Sequence, residues 1–94
     1  MVRPDENRTK NYLERFSLDT LAMVGTLQRD NFNWSLIKDP EGRIRRIQLG
    51  SFLGRDHGRV TELGDAFVVV TEIVSDGTEN GWVERPRTIE LKGM

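Results

Sequence analysis

The sequence of 94 residues contains no cysteine and a single histidine. Disulfides and thiolate metal sites are therefore excluded, and there is no histidine pair for zinc. No apolar run approaches the roughly 20 residues of a membrane-spanning helix, and no signal-peptide pattern follows Met1. Aromatic residues are few, with four Phe, two Trp and one Tyr. At this length the chain predicts one domain with one modest core.

Signatures of catalysis are also missing. The sequence has no Gly-x-x-x-x-Gly-Lys phosphate loop, no Gly-x-Gly-x-x-Gly motif and no Gly-x-Ser-x-Gly elbow that would give Ser51 and His57 a hydrolase context. The segment from Asp76 to Asn80 is rich in oxygen ligands but lacks the residue order of a calcium loop, which favours a turn. We therefore expect no enzyme, no cofactor and no metal site.

The charge balance does not favour nucleic acid as a partner. Fourteen Lys and Arg against fifteen Asp and Glu give a net charge of −1, without the basic excess that supplies non-specific affinity. A local cluster of Arg43, Arg45 and Arg46 leaves one alternative open, a small β-barrel that binds single strands through stacking on Trp34 or Phe52. Both aromatic residues lie in apolar patterns, however, which favours a place in the core.

A hairpin organises the middle of the chain. Asp39, Pro40 and Gly42 occupy the first, second and fourth positions of a type I turn, where each is favoured. Before this turn, Trp34 and Leu36 are two residues apart, the spacing that places both on one face of a strand.

The strand after the turn has an irregular pattern. Ile44 is at an even-numbered position, whereas Ile47 and Leu49 are at odd-numbered positions. Because alternate residues of a strand point to opposite faces, the apolar face changes near Arg45 and Arg46. Such a change normally requires a bulge or a strand that passes between sheets. It favours a sandwich or small barrel over a flat sheet.

The remaining segments predict an all-β fold, a small β-sandwich of about six to seven short antiparallel strands. Ser17 to Thr20 is expected to form one helical turn. The further strands are expected at Ala22 to Leu27 (buried on at least part of both faces), Val60 to Leu63, Ala66 to Val74 (central in its sheet), Trp82 to Glu84 (interrupted or placed at an edge by Pro86) and Thr88 to Leu91.

Residues 1–15 differ from the rest in composition. They are rich in charge and contain only Val2, Tyr12 and Leu13 as sizeable apolar residues. Such a segment cannot bury enough surface to offset the entropy of ordering it. The sequence thus predicts a flexible N-terminal arm over residues 1–15 and a sandwich domain over residues 16–94.

Several blocks of the sequence, in order, resemble one family, the C-terminal periplasmic domain of the type IV pilus assembly lipoprotein PilP. The blocks are Phe16 to Leu27, Trp34 to Gly42, Gly50 to Gly54, Gly58 to Val60, Glu72 to Gly77 and Trp82 to Pro86. The resemblance covers Phe16 to Leu91. Ser51 and Phe52 stand where the family pattern has an Asn-Tyr pair.

The resemblance implies a β-sandwich similar to the homology region of the secretion protein GspC, and no enzymatic activity. It implies a periplasmic module that links the inner-membrane PilN and PilO proteins to the outer-membrane secretin PilQ. The full-length protein would be anchored to the inner membrane by a lipid on a cysteine that this sequence does not contain, so we expect Met1 to lie downstream of that cysteine. Residues 1–15 would then be the end of a linker that engages PilN and PilO.

A strand edge is the predicted docking surface for the secretin, because the free N–H and C=O groups of an edge can pair with a strand from another protein. The first strand is the preferred edge, with Thr26, Gln28 and Arg29 as partner-binding residues. Arg45 and Arg46 are the second choice.

Overall fold

Six strands form two three-stranded antiparallel sheets in the computed structural model, which describes residues 3–4, 7–79 and 81–92. The strands are β1 (Ala22–Arg29), β2 (Phe32–Lys38), β3 (Ile44–Ile47), β4 (Arg59–Leu63), β5 (Phe67–Ser75) and β6 (Trp82–Glu90). One sheet has the order β1-β2-β3 and the other β4-β5-β6. The predicted all-β sandwich is confirmed. No helix among the described residues has the length and apolar character to cross a membrane.

Two short 3₁₀ turns precede β1, at Tyr12–Arg15 and Leu18–Thr20. The second confirms the helical turn predicted from the sequence, and the amide of Thr20 donates to the carbonyl of Ser17 at 3.0 Å. The side chain of Ser17 makes no capping hydrogen bond.

The turn between β2 and β3 has the predicted form. The amide of Gly42 donates to the carbonyl of Asp39 at 3.0 Å, and Gly42 has a φ of +89°. Asp39 Oδ1 accepts from the amides of Glu41 and Arg43 at 2.8 and 3.0 Å. A carboxylate at the first position and a glycine at the fourth are therefore what close this hairpin.

The prediction of a bulge near Arg45 and Arg46 is wrong. Residues of β2 and β3 pair without interruption from Ser35 opposite Ile47 to Lys38 opposite Ile44. Ile44 does not share the face of Ile47, because the side chain of Ile44 lies on the outer face of the sheet, where it is 55% exposed.

The irregularities lie in β1 and β4 instead. The register shifts between Met23 and Gly25 in β1, and between Val60 and Glu62 in β4. Bulges at these positions bend the two strands.

The structure also corrects the prediction of which face of β2 points into the core. Ser35 and Ile37 point into the sandwich and are 1% and 0% exposed, whereas Trp34 and Leu36 lie half-buried on the outer face. Apolar residues occupy both faces of this strand, so alternation alone could not select the inner one. The pairing of Ser35 with Ile47, a buried core residue, decides it.

Strand β1 is less buried than predicted. Met23 is fully buried, but Val24 and Leu27 on this strand are 40% and 38% exposed. The strand also continues to Arg29, so the turn into β2 consists only of Asp30 and Asn31. Asp30 has a φ of +56°, a conformation that Asp tolerates better than most residues.

Strand β5 is central in its sheet, as predicted. Its β-branched residues suit a strand, and Val68 and Val70 point inward with no exposed surface, whereas Val69 is half-buried on the other face. Strand β6 lies at the edge, which is the position expected for Pro86, and it runs through Pro86 as one strand where two were predicted.

The core joins the two sheets and also takes side chains from the segments outside the strands. Its buried residues are Leu13, Leu18, Leu21, Met23, Ile37, Ile47, Leu53, Val60, Val68 and Val70. Leu13 is 4% exposed, and its carbonyl accepts from the amide of Gly54 at 3.0 Å. The packed domain therefore begins at Tyr12, before the predicted boundary at Phe16. Of the predicted arm, residues 1, 2, 5 and 6 lie outside the described residues, and its flexibility stays a prediction.

Backbone hydrogen bonds also join the two sheets at their sides. On one side, the amide of Lys92, which follows β6, donates to the carbonyl of Met23 in β1 at 3.1 Å. On the other side, Gly50 and Ser51 exchange bonds of 2.9 and 2.8 Å with Val60. The sandwich is thus partly closed.

We predict that Val70→Asp unfolds the domain, because it would place an unpaired charge in the centre of the core at a cost on the order of 5 kcal/mol, a small domain's whole stability. The matched variant Val69→Asp should lower the free energy of unfolding by only a fraction of this. Urea denaturation followed by circular dichroism measures both. Equal losses in the two variants would contradict this orientation of β5.

Candidate docking site

The hairpin formed by β1 and β2 extends beyond the end of β3. Strand β2 pairs with β3 only from Ser35 onward, so Phe32, Asn33 and Trp34 pair with β1 alone. Of the predicted residues, Gln28 and Arg29 lie opposite this part of β2, and Thr26 lies at its boundary, opposite Ser35.

The direction of the backbone groups in β2 follows from its hairpin with β3. The amide of Asp39 donates to the carbonyl of Arg43 at 2.9 Å, so the backbone of Asp39 faces β3. In an antiparallel pair, successive residues direct their N–H and C=O groups alternately to either side. Ser35 and Asn33, which share the parity of Asp39, therefore also direct these groups toward the β3 side and away from β1.

The same alternation leaves an open edge on β1. Thr26 lies opposite Ser35, and Gln28 lies opposite Asn33. Because these are the pairs that do not exchange hydrogen bonds, the N–H and C=O groups of Thr26 and Gln28 point away from β2. Within residues 7–79 and 81–92, no backbone hydrogen bond reaches them from that side. We call this the β1 edge.

A polar cleft of about 80 Å³ lies between the inner side of the hairpin and the turn that joins β4 to β5. We call it the hairpin cleft. The polar residues of its lining are Thr26, Gln28, Asn33, Ser35 and Asp65, and Trp34, Leu63 and Gly64 complete it. Ser35 is 1% exposed, and its Oγ has no hydrogen-bond partner among the described residues.

A shallower groove lies next to the hairpin cleft, shares Asn33 and Leu63 with it, and is also lined by Gln48. Phe32 and Leu49 border it and are 59% and 62% exposed. The Phe32 ring stacks on Trp34 with 5.8 Å between ring centroids. The end of the hairpin therefore carries apolar surface beside its open backbone.

The predicted partner-binding residues do not form one cluster. Thr26 and Gln28 line the hairpin cleft, and Arg29 is exposed at the end of β1. The Arg46 guanidinium lies 5.5 Å from the centre of the Trp34 ring, on the outer face. Arg45 lies on the opposite side of the sheet, against Tyr12.

The arrangement of arginines does not form a single basic groove. The guanidinium groups of Arg15, Arg43 and Arg45 lie 4.9, 5.9 and 4.4 Å from the centre of the Tyr12 ring. Arg46 lies on the other face. Trp34, which was expected in the core, is half-buried beneath Arg46, so the guanidinium covers part of the ring on which a single strand was expected to stack.

Tyr12 connects the N-terminal segment to the hairpin of β2 and β3. Its hydroxyl donates to Asp39 Oδ2 at 2.7 Å, and this hydrogen bond raises the pKa of Tyr12. Burial acts to raise the pKa of Asp39, but the hydrogen bonds from Tyr12 and from the amides of Arg43 and Glu41 outweigh it and lower that pKa. Asp39 therefore stabilises the fold as a carboxylate.

Arg8 holds the start of this segment. Its Nη1 donates to Glu14 Oε2 at 2.8 Å, and its guanidinium lies 3.5 Å from the centre of the Phe52 ring. The hydrogen bond from Arg8 lowers the pKa of Glu14, which is 6% exposed. Part of the predicted arm thus contacts the sandwich.

A buried carboxylate in β5 was missed at the sequence level. Glu72 is 1% exposed, and its Oε1 accepts from Arg85 Nη2 at 2.8 Å and from Arg87 Nη1 at 3.4 Å. Its parity with Val68 and Val70 could have indicated that it points inward. Because it is paired, we assign it a role in joining β5 to β6.

No group of three or more His, Cys, Asp or Glu side chains suitable for a metal is found in the part of the chain that the structure describes. Asp76 instead organises a turn, accepting from the Thr78 amide at 2.9 Å. Asn80, at the end of the segment considered above, lies outside the described residues.

Comparison with known proteins identifies the family of the chain. A family model described as "Pilus assembly protein, PilP" matches residues 1–91. The chain belongs to the PilP family.

Relatives with a known sequence or structure are similar over nearly the whole chain. The type IV pilus inner membrane component PilP of Pseudomonas aeruginosa is 41% identical over 92 residues, which make up 98% of this chain and 52% of that protein. The chain thus spans about half the length of this curated relative.

Two solved structures of PilP domains show the same fold. A domain of the type IV pilus biogenesis lipoprotein PilP from Pseudomonas aeruginosa has a TM-score of 0.86 and 42% identity, covering 95% of this chain and 100% of that one. A domain of the Neisseria meningitidis PilP pilot protein has a TM-score of 0.71 and 32% identity, covering 95% and 77%.

We predict that Asp39→Asn lowers the free energy of unfolding at neutral pH. We also expect that free energy to depend less on pH between neutral and acidic conditions. Because folding lowers the pKa of Asp39, the carboxylate stabilises the domain fully above its unfolded pKa of about 4, and this contribution is lost as the pH falls below that value. Denaturation midpoints measured from about pH 7 to pH 2 should decline less steeply in the variant. Parallel curves for the two proteins would contradict the role given to Asp39.

Proposed function

We propose that the chain is a non-enzymatic docking module of type IV pilus assembly. Its sandwich binds a periplasmic domain of the outer-membrane secretin PilQ, and the segment that leads into it engages the inner-membrane proteins PilN and PilO. Membership in the PilP family supports a role in pilus biogenesis. The relatives named as an inner membrane component and a lipoprotein support a periplasmic position, anchored to the inner membrane in the full-length protein.

The open β1 edge is the observation that carries this proposal. The outward N–H and C=O groups of Thr26 and Gln28 offer hydrogen bonds to an added strand, which is a common mode of peptide recognition. Met23, further along β1, is already bonded to Lys92. The available edge is therefore short and lies at the end of the hairpin.

The surroundings of the β1 edge add to its suitability. Arg29 is exposed at one end, and Leu27 is 38% exposed on the outer face of the same strand. Arginine and exposed apolar side chains are typical of protein contacts. A short edge with few flanking side chains gives a small interface of modest affinity.

The N-terminal segment meets the sandwich away from this edge. Tyr12 contacts Asp39, which follows the last residue of β2, whereas the docking edge lies beside the first residues of β2. One domain can therefore hold both groups of partners without overlap. Simultaneous attachment would strengthen each weak contact through effective concentration.

We predict that Gln28→Pro weakens binding of the PilQ periplasmic domain at least about tenfold, because proline removes an edge donor and obstructs the added strand. The Gln28 amide faces away from β2, so its loss removes no hydrogen bond between β1 and β2. Isothermal titration with both purified domains measures the affinity, and circular dichroism confirms that the variant is folded.

The matched control is Gln28→Ala, which keeps the backbone amide and should therefore weaken binding less than Gln28→Pro does. A folded Gln28→Pro variant with unchanged affinity would move the docking site away from the β1 edge.

The nucleic-acid alternative is tested separately. A single-strand site built on Arg43, Arg45 and Arg46 would show affinity that falls steeply with salt, because phosphate contacts release counterions. We expect no binding of a mixed-sequence DNA or RNA oligonucleotide at micromolar concentration by fluorescence anisotropy. A salt-sensitive complex that is lost in the variant with all three arginines replaced by Gln would favour the alternative.

A further inference from the structure

Ser35 is a buried polar residue at a position where an apolar residue would be expected. It shares the inner face of β2 with the core residue Ile37, yet its Oγ has no hydrogen-bond partner among the described residues. A buried hydroxyl without a partner is destabilising, because it has given up its bonds to water. Ser35 lines the hairpin cleft, so a group that enters the cleft could supply the missing bond.

The charge in the lining of the hairpin cleft is negative only. Asp65 is the charged residue of its lining, and no basic side chain lines it. Asp65 is exposed and has no ion pair with any described residue. The oxygens of Ser35 and Thr26 and the amide groups of Gln28 and Asn33 complete a lining that can accept hydrogen bonds. This chemistry favours a cationic donor.

The β1 edge determines which side chains of a bound strand could reach the hairpin cleft. Directly opposite residues in a sheet place their side chains on the same face. Thr26 and Gln28 direct their side chains inward, into the lining of the cleft. A partner residue paired with either one therefore directs its own side chain toward Ser35 and Asp65.

We propose that the hairpin cleft is a subsite that receives a lysine side chain from the strand bound at the β1 edge. This inference rests on the proposed docking function and adds to it the identity of a recognised side chain. The ammonium group donates to Ser35 Oγ and pairs with Asp65 at the mouth. A volume of about 80 Å³ suits a compact ammonium better than a planar guanidinium, which needs a wider fork of acceptors.

The test uses Ser35→Ala and Asp65→Asn in the full 94-residue chain, titrated with the PilQ periplasmic domain. Each variant should bind about tenfold more weakly, because each removes a partner of a charged group. Ser35→Ala should keep or raise the urea denaturation midpoint, because it removes an unsatisfied hydroxyl. A merely structural serine would instead lower the midpoint and leave the affinity of the folded protein unchanged.

The control is Asp30→Asn, which removes a carboxylate from the same hairpin but outside the cleft. It should bind like the wild type. Raising the salt concentration should weaken binding of the wild type more than binding of Asp65→Asn, since the variant lacks one ion pair.

The partner residue is found by replacing each lysine of the PilQ domain with Met. One replacement should weaken binding to the wild-type chain but have no further effect on Asp65→Asn, which is the signature of direct coupling. Coupling to an arginine, or to no basic residue, would overturn the assignment of lysine.

The remaining outcomes separate the two proposals. Weak binding by Gln28→Pro together with wild-type binding by Ser35→Ala and Asp65→Asn would overturn the subsite and keep the docking edge. Wild-type binding by a folded Gln28→Pro would overturn both.

Discussion

Backbone hydrogen bonds that join the two sheets determine where this domain is closed and where it remains open. Lys92 and Met23 connect them on one side, and Gly50 and Val60 on the other. The part of the β1 and β2 hairpin that extends beyond these bonds keeps an open edge at Thr26 and Gln28. An open edge is a risk of aggregation unless it is short or paired. The stretch at Thr26 and Gln28 is short, which limits that risk.

Asp39 integrates the N-terminal segment with the sandwich. One of its carboxylate oxygens closes the turn between β2 and β3, and the other accepts from Tyr12. A residue selected for its turn chemistry thus also fixes the point where the preceding chain meets the fold. Three arginines around the Tyr12 ring reinforce the contact. The order of this segment depends on tertiary contacts, which its own composition does not reveal.

Local chemistry made the strands and turns predictable, and long-range pairing decided the rest. The turn at Asp39 and the central strand β5 follow from residue types that suit few other structures. The inner face of β2 did not follow, because Trp34 and Ile37 make both faces apolar. The edge residues Thr26 and Gln28 could be proposed from the first strand alone. Ser35 and Asp65 could not, since they come together only when the turn after β4 packs over the hairpin.

The two ends of β2 have a mechanical consequence. The N-terminal segment is attached near Asp39 at one end, and the proposed docking edge lies at the other. Under that proposal, tension between two bound partners would act along this strand. Ladder hydrogen bonds run perpendicular to the strand axis. A pull in this direction must shear the pairs on both sides of β2 together, whereas a pull on an edge strand such as β6 could peel its pairs apart in sequence. In the proposed assembly, the domain would therefore resist a pull between its two partners through many ladder hydrogen bonds at once.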